Sequence, residues 1–381
     1  MSVSPIALPT TRLEQDTESI SIRVQNRPEK RFHELDSMRG LAALVVVFHH
    51  YAHMFFPDGK IGTGVTKLVL FPFLAGHASV MLFFLLSGFV LSLPFIRGKS
   101  QPYLIFIQRR VLRIYGPYLG ALLLSLAGCA LWHNRFGAIQ WASITWNHPV
   151  ELKSVIQHVL FIGDYDYTQY NTAFWSLVYE MRISLIFPLL FIIVSRLSLI
   201  SSIFVIGGFT LAGIHVGVHQ TLITFEYIAI FLVGILLAKN MDRVGVLYKS
   251  ISPMWRILFA LLSATVYICG HSLVVYGPIW HLGDLPTALG AAGLMVIALN
   301  SVLASRLLDT PIPSFLGRIS YSLYLVHGTV LFAMTALMGN KISHLLFFGL
   351  YLTVSILLSW GFYLGVEAPF MEMSRRVGRK T

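Results

Sequence analysis

Long apolar stretches separated by short polar breaks run through nearly the whole chain, among them 68–93, 183–194 and 345–366. A hydrocarbon core of roughly 30 Å takes about 20 helical residues at 1.5 Å each. That length predicts spans near 36–56, 68–93, 112–132, 174–195, 198–216, 221–238, 254–275, 286–304, 319–338 and 345–366. The expected fold class is therefore all-α, a polytopic transmembrane helical bundle of about ten spans. Residues 1–34 are polar, mix both charges and lack the short apolar core of a cleaved signal peptide. They read as a flexible cytoplasmic tail, 35–370 as one transmembrane domain, and 371–381 as a basic cytoplasmic tail. The largest outer loop, 133–173, is rich in Trp, Tyr and Asp and reads as a lid or an acceptor platform. No repeat relates the two halves of the chain.

Composition agrees with the pattern. Of 381 residues, 56% are hydrophobic and 12% charged, against roughly 25% charged in soluble domains. The formal net charge of +11 raises the question of nucleic acid. Its distribution answers it. With the N-terminus inside, cytoplasmic segments hold 22 of the 28 Lys and Arg; Lys60, Lys67, Arg135, Lys153 and Lys341 fall outside, and Arg182 within a span. This is the positive-inside bias. It places both termini in the cytoplasm and makes the lipid bilayer, not nucleic acid, the expected partner. Cys129 and Cys269 lie in apolar runs as small hydrophobes. No Cys or His spacing matches a zinc motif, so no metal site is expected.

Ionisable residues inside a bilayer are costly and mark candidate sites. In the first span Arg39 and His50 are eleven residues apart. At about 100° per residue both project from one face, separated by roughly 16 Å. His49 is off that face and His53 nearer to it. Interfacial anchoring by snorkelling is the alternative for Arg39. Arg109, Arg110 and Arg113 follow the second span on adjoining helix faces. Guanidinium forks suit phosphate oxygens, but by itself such a cluster is more simply explained by topology anchoring with anionic-lipid contact. Glu180 lies about one turn inside the outer end of the fourth span, with Ser176 and Ser184 on its face. It needs a partner, an Arg or an imidazole, or else forms a structural ion pair. Ser320, Tyr324 and His327 form a polar stripe in the ninth span, fit for the site or for helix–helix hydrogen bonding. Ser87 has no base identifiable beside it.

Six motifs in order carry a resemblance: Leu35–Ala43 with His50, Phe83–Phe89, Arg109–Tyr115, Trp175–Glu180, Ile319–His327 and Glu367–Pro369. Together the chain resembles the acyltransferase-3 family of membrane-bound O-acyltransferases, from about residue 34 to 370. The resemblance implies ten spans in the bacterial inner (plasma) membrane and no bound cofactor. It also implies an acyl-coenzyme A co-substrate, with acetyl-CoA expected. The acceptor would be a carbohydrate hydroxyl of an exopolysaccharide, lipopolysaccharide or lipo-oligosaccharide. The family's Arg-x10-His motif maps onto Arg39 and His50, with His50 as general base, Glu180 orienting it, and Arg39 binding phosphate or stabilising developing charge. Arg109, Arg110 and Arg113 would hold the coenzyme, with Trp175, Tyr324 and His327 in support. The chain departs from the pattern at Gly116, before Pro117, and at Met181-Arg182 after Glu180. A proton-coupled transporter or lipid-linked sugar flippase is the competing reading, since intramembrane Arg, His and Glu suit it equally. The missing half-repeat stands against it.

Overall fold

The computed structural model describes residues 32–56, 69–99, 101–136, 145–163, 165–215, 223–271, 283–339 and 341–378. The expected N-terminal tail lies almost wholly outside them. Among the described residues the regular elements are all helical. In chain order they are α1 His33–Phe55, α2 Gly76–Ile96, α3 Tyr103–Arg110, α4 Gly116–Trp132, α5 Leu152–Leu160, α6 Phe174–Arg196, α7 Leu199–His215 and α8 Thr224–Lys239. There follow α9 Met241–Ser250, α10 Pro253–Cys269, α11 Asp284–Asn300, α12 Val302–Leu308, α13 Pro311–Met338, α14 His344–Phe362 and α15 Ala368–Arg376. One π-helical turn, Val111–Tyr115, joins α3 to α4, and another, Tyr363–Glu367, joins α14 to α15.

Among the described residues, five helical runs are long and apolar enough to cross a membrane: α2, Tyr103–Trp132, α6, α13 and His344–Arg376. A sixth is counted if α11 and α12 form one span, although they meet at 93°. The expected eighth span therefore turns sharply after Asn300. The third begins earlier than expected, at Tyr103. The chain beyond 370, expected as a tail, continues as helix to Arg376. α7 and α10, at 17 residues each, are apolar but shorter. α1 has the length, at 23 residues, but Glu34, Asp36, Arg39 and four histidines dilute its apolar character.

The core forms around α8, whose residues Glu226–Ile235 are all buried. A helix apolar on every side packs on every side, and α8 meets α2, α6, α7 and α11. Gly88 is what lets α2 approach it, because a Cβ there would stand 3.0 Å from the backbone of Phe231. α2, α6, α8 and α11 run in one direction. His77 meets Trp175 and Asp284 at one end of α2, and Phe95 meets Phe191 at the other.

A second crossing sets the site. A Cβ on Gly40 would stand 2.8 Å from the Cα of Gly317, and one on Gly317 would stand 2.6 Å from the Asp36 carbonyl oxygen. Small residues at such a crossing let backbones touch. His50 and His327 each lie ten residues beyond their glycine. That is about 15 Å farther along two helices running the same way. Gly40→Val is expected to cost about 1–3 kcal/mol through overpacking, read as a lower melting temperature of the detergent-purified protein. An unchanged melt would contradict this crossing.

Candidate active site

One end of the site is a histidine pair. His50 Nδ1 lies 2.8 Å from His327 Nε2, and the rings stack with centroids 5.0 Å apart. His327 is fully buried while His50 is half-buried. His327 Nδ1 is 2.9 Å from the Leu323 carbonyl. A carbonyl only accepts, so Nδ1 of a neutral His327 carries the proton and its Nε2 is the acceptor. His50 therefore donates from Nδ1, which leaves its Nε2 lone pair as the basic atom. Thr172 Oγ1 lies 3.4 Å from the same Nδ1.

Thr172 arrives from the outer loop. That loop does not simply cover the bundle; it wedges between α4 and α13. The Trp146 indole, fully buried, donates to the Tyr170 carbonyl at 2.8 Å. Tyr118 OH donates to the His158 carbonyl at 3.0 Å. Asn171 Nδ2 reaches the Leu325 carbonyl at 3.0 Å and Thr329 Oγ1 at 3.2 Å. Arg182 secures the same loop through Tyr167 OH at 3.2 Å, with its guanidinium over the Tyr167 and Tyr179 rings. The departure at Met181-Arg182 thus serves the loop, while Glu180 faces elsewhere.

Below the pair, Tyr324 OH and Ser176 Oγ share a 2.7 Å hydrogen bond. Deeper still, Glu180 Oε1 accepts from Ser87 Oγ at 2.9 Å and from Arg110 Nη2 at 3.2 Å. Arg110 also donates to Ser184 Oγ at 2.9 Å. Glu180 was expected to orient the His50 imidazole; the structure gives that contact to His327 and Thr172, and sets Glu180 among the arginines. The reason is depth: Trp175 already lies level with His77 of the first turn of α2, so Glu180 sits more than a helical turn below the outer rim. Ser87, passed over for want of a neighbouring base, has a carboxylate beside it.

At the end of the site away from the histidine pair, Arg39, Arg110 and Arg113 lie within electrostatic reach of one another. Arg113 is exposed, sits on the first π turn and also interacts with Glu367 and Asp36. Glu367 closes the second π turn, and its Oε2 accepts from Ser322 N at 3.1 Å and from the Ser322 hydroxyl. π-helical turns recur at functional sites because they rotate one helix face against the next. Here the two carry Arg113 and Glu367 to the same place.

Arg109 does not join them. It donates to the Val377 carbonyl at 2.8 and 3.2 Å and to Gln101 Oε1 at 2.6 Å, tying α3 to the C-terminal helix. The same docking explains Gly116, where a Cβ would press on the Phe370 ring at 2.6 Å. Trp175 stacks on His77, at 6.2 Å and 9°, so it borders the site from α6. Thr172 and Ser322 are the additions that sequence reasoning did not name; Ser184 stood on the face of Glu180, Ser87 stood without a base, and Glu367 stood in a motif without a role.

A histidine pair lies within a bundle of apolar helices, with a cluster of arginines and carboxylates farther along the same helices. Residues 32–364 match the acyltransferase domain family Acyl_transf_3, and the chain belongs to that family. Acyltransferase MdmB of Streptomyces mycarofaciens is similar, at 30% identity over 173 residues, covering 44% of this chain and 41% of that protein. The chain thus matches less than half the length of this curated relative. No solved structure matches it.

Proposed function

We propose that the protein is a membrane O-acyltransferase of the bacterial inner membrane that moves an acyl group, acetyl foremost, from acyl-coenzyme A to a hydroxyl of a cell-surface or exported carbohydrate. The observation that carries the reading is the 2.8 Å contact of His50 Nδ1 with His327 Nε2, whose own Nδ1 lies 2.9 Å from the Leu323 carbonyl. A hydroxyl is a weak nucleophile at neutral pH and needs a general base. His50 Nε2 takes the acceptor's proton as its oxygen attacks the thioester carbonyl. The carbon–sulfur bond breaks, and the imidazolium returns the proton to the leaving thiolate. His327 positions the ring throughout and shares the charge that forms on it. Family membership supports the reaction class.

Donor binding falls to the inner mouth. Arg39 and Arg113, with Arg110 braced by Glu180, offer guanidinium groups to the coenzyme's phosphates. The thioester arm would run up the face shared by α1 and α13, past Tyr324, to His50. Ten spans with both termini inside fit this arrangement. In that topology α1 and α13 run outward while α2, α6, α8 and α11 run inward, and the contacts of these helices support those directions.

Arg113→Ala is expected to raise KM for acyl-CoA about 10–100-fold, the value of a charge-assisted hydrogen bond of roughly 1.5–3 kcal/mol. Arg109→Ala is expected to leave KM unchanged and lower the melting temperature instead. Equal KM effects for the two would contradict the assignment. The function itself is tested with purified protein in liposomes. Coenzyme A release that depends on added acceptor supports it, and solute flux without thioester consumption overturns it.

A further inference from the structure

One cluster of strong donor groups lies outside both the histidine pair and the basic mouth. His77, in the first turn of α2, places Nε2 2.7 Å from Asp284 Oδ1. His271, just beyond α10, places Nδ1 3.0 Å from the same oxygen. The two rings are 4.1 Å apart between centroids, and the three donor atoms all lie within 4.8 Å of one another. Asp284 is fully buried, and among the described residues no hydrogen bond reaches its Oδ2. Glu226, in the first turn of α8 and also buried, faces Asp284 closely enough for the two carboxyls to interact directly.

Two buried carboxyls side by side repel when ionised and lose their hydration besides. A divalent cation held between them and two imidazoles removes both costs. The donor set selects among cations. Magnesium and calcium ask for six or more oxygens, whereas two imidazoles with carboxylate oxygen suit zinc. Donors about 2.0–2.1 Å from a tetrahedral zinc stand about 3.3 Å from each other. The observed 2.7 and 3.0 Å to the carboxylate would therefore open by a few tenths of an ångström, and the two imidazole nitrogens, which lie within 4.8 Å of each other, would come to that same separation by a small turn of the rings.

We propose that His77, His271 and Asp284 bind a divalent transition-metal ion, zinc by its donors, with Glu226 as the adjacent carboxylate. The ion is a structural staple. It ties α2 to the end of α10 and the start of α11, beside the Trp175 ring stacked on His77. The His49 ring lies against Gly76, 2.5 Å from where a Cβ would stand, so the staple also backs the end of α1 that carries His50. The acyl transfer described above has no step that uses it. Sequence spacing could not show the site, because its ligands come from three separated parts of the chain.

The test uses full-length protein purified in detergent through a tag free of histidine, with metal content measured by mass spectrometry. About one zinc per chain is expected, falling to background in His77→Gln/His271→Gln. That variant keeps side-chain donors for Asp284 while removing both imidazole ligands. Chelator treatment is expected to lower the melting temperature of the wild type and not of the variant. Cobalt(II) added to metal-free wild type is expected to give the intense visible absorption of a tetrahedral site. If the variant fails to fold, the cobalt spectrum decides alone. Absence of zinc together with only the pale spectrum of hydrated cobalt would overturn the site, as would equal metal content in the folded variant.

Discussion

His50→Ala is expected to lower acyl transfer by about 10²–10⁴-fold, the usual contribution of a positioned general base, while the protein still reaches the membrane in normal amount. The expectation rests on the atom left basic by the hydrogen bonds around it. Leu323 fixes His327, and His327 fixes His50. His327→Ala should therefore act through His50. It leaves Nδ1 of His50 without its 2.8 Å partner, so the ring loses its preferred tautomer and angle. A fall in kcat with little change in acyl-CoA KM is the signature of that positioning role. Thr172→Val, which removes the longer 3.4 Å contact, should cost less than either. Rates are read as coenzyme A release, and amounts by immunoblot of the membrane fraction. A His50→Ala enzyme that works at the wild-type rate would sink the assignment.

Arg110→Ala is expected to destabilise the protein by about 3 kcal/mol, toward the low end of the 3–5 kcal/mol seen when one partner of a buried ion pair is removed. The low end applies because the Glu180 side chain keeps 19% exposure and a hydrogen bond from Ser87. The loss comes from Glu180, left as an uncompensated carboxylate deep in the bundle, more than from the missing attraction. Arg110→Met combined with Glu180→Gln should then be more stable than Arg110→Ala alone, since neither charge remains. Reversible unfolding in mixed detergent micelles measures both. A double variant as unstable as the single one would show that Glu180 does not depend on Arg110. Both variants should also lose activity, because Arg110 belongs to the donor mouth, so stability and rate must be measured separately.

Much of this was legible along the chain, and the reasons differ by residue. Arg39 and His50 share one helix, where angular spacing is set by backbone geometry alone. Their alignment needed no tertiary information. His327 and Tyr324 were legible as a stripe for the same reason. The partner of Glu180 was not. Its helix starts level with the first turn of α2, and the arginine and serine that meet its carboxylate come from other helices, which periodicity within one segment cannot announce. Arg109 illustrates a second limit. It shares a short basic run with Arg110 and Arg113, yet the docked C-terminal helix claims it and the π turn carries Arg113 to another face.

By itself the sequence determined that the chain is helical, apolar enough for a bilayer, and equipped with ionisable groups inside its apolar helices. These properties follow from composition and from the fixed rise and turn of a helix, which act locally. Which groups meet was decided only in three dimensions. Two glycines bring α1 and α13 into contact, and ten residues farther on the two histidines pair. An inward-folded loop supplies Thr172. Two π turns gather Arg113 and Glu367 at one mouth. Each of these depends on backbones approaching to within a missing Cβ or on a helix changing its pitch, and neither leaves a periodic mark in the sequence.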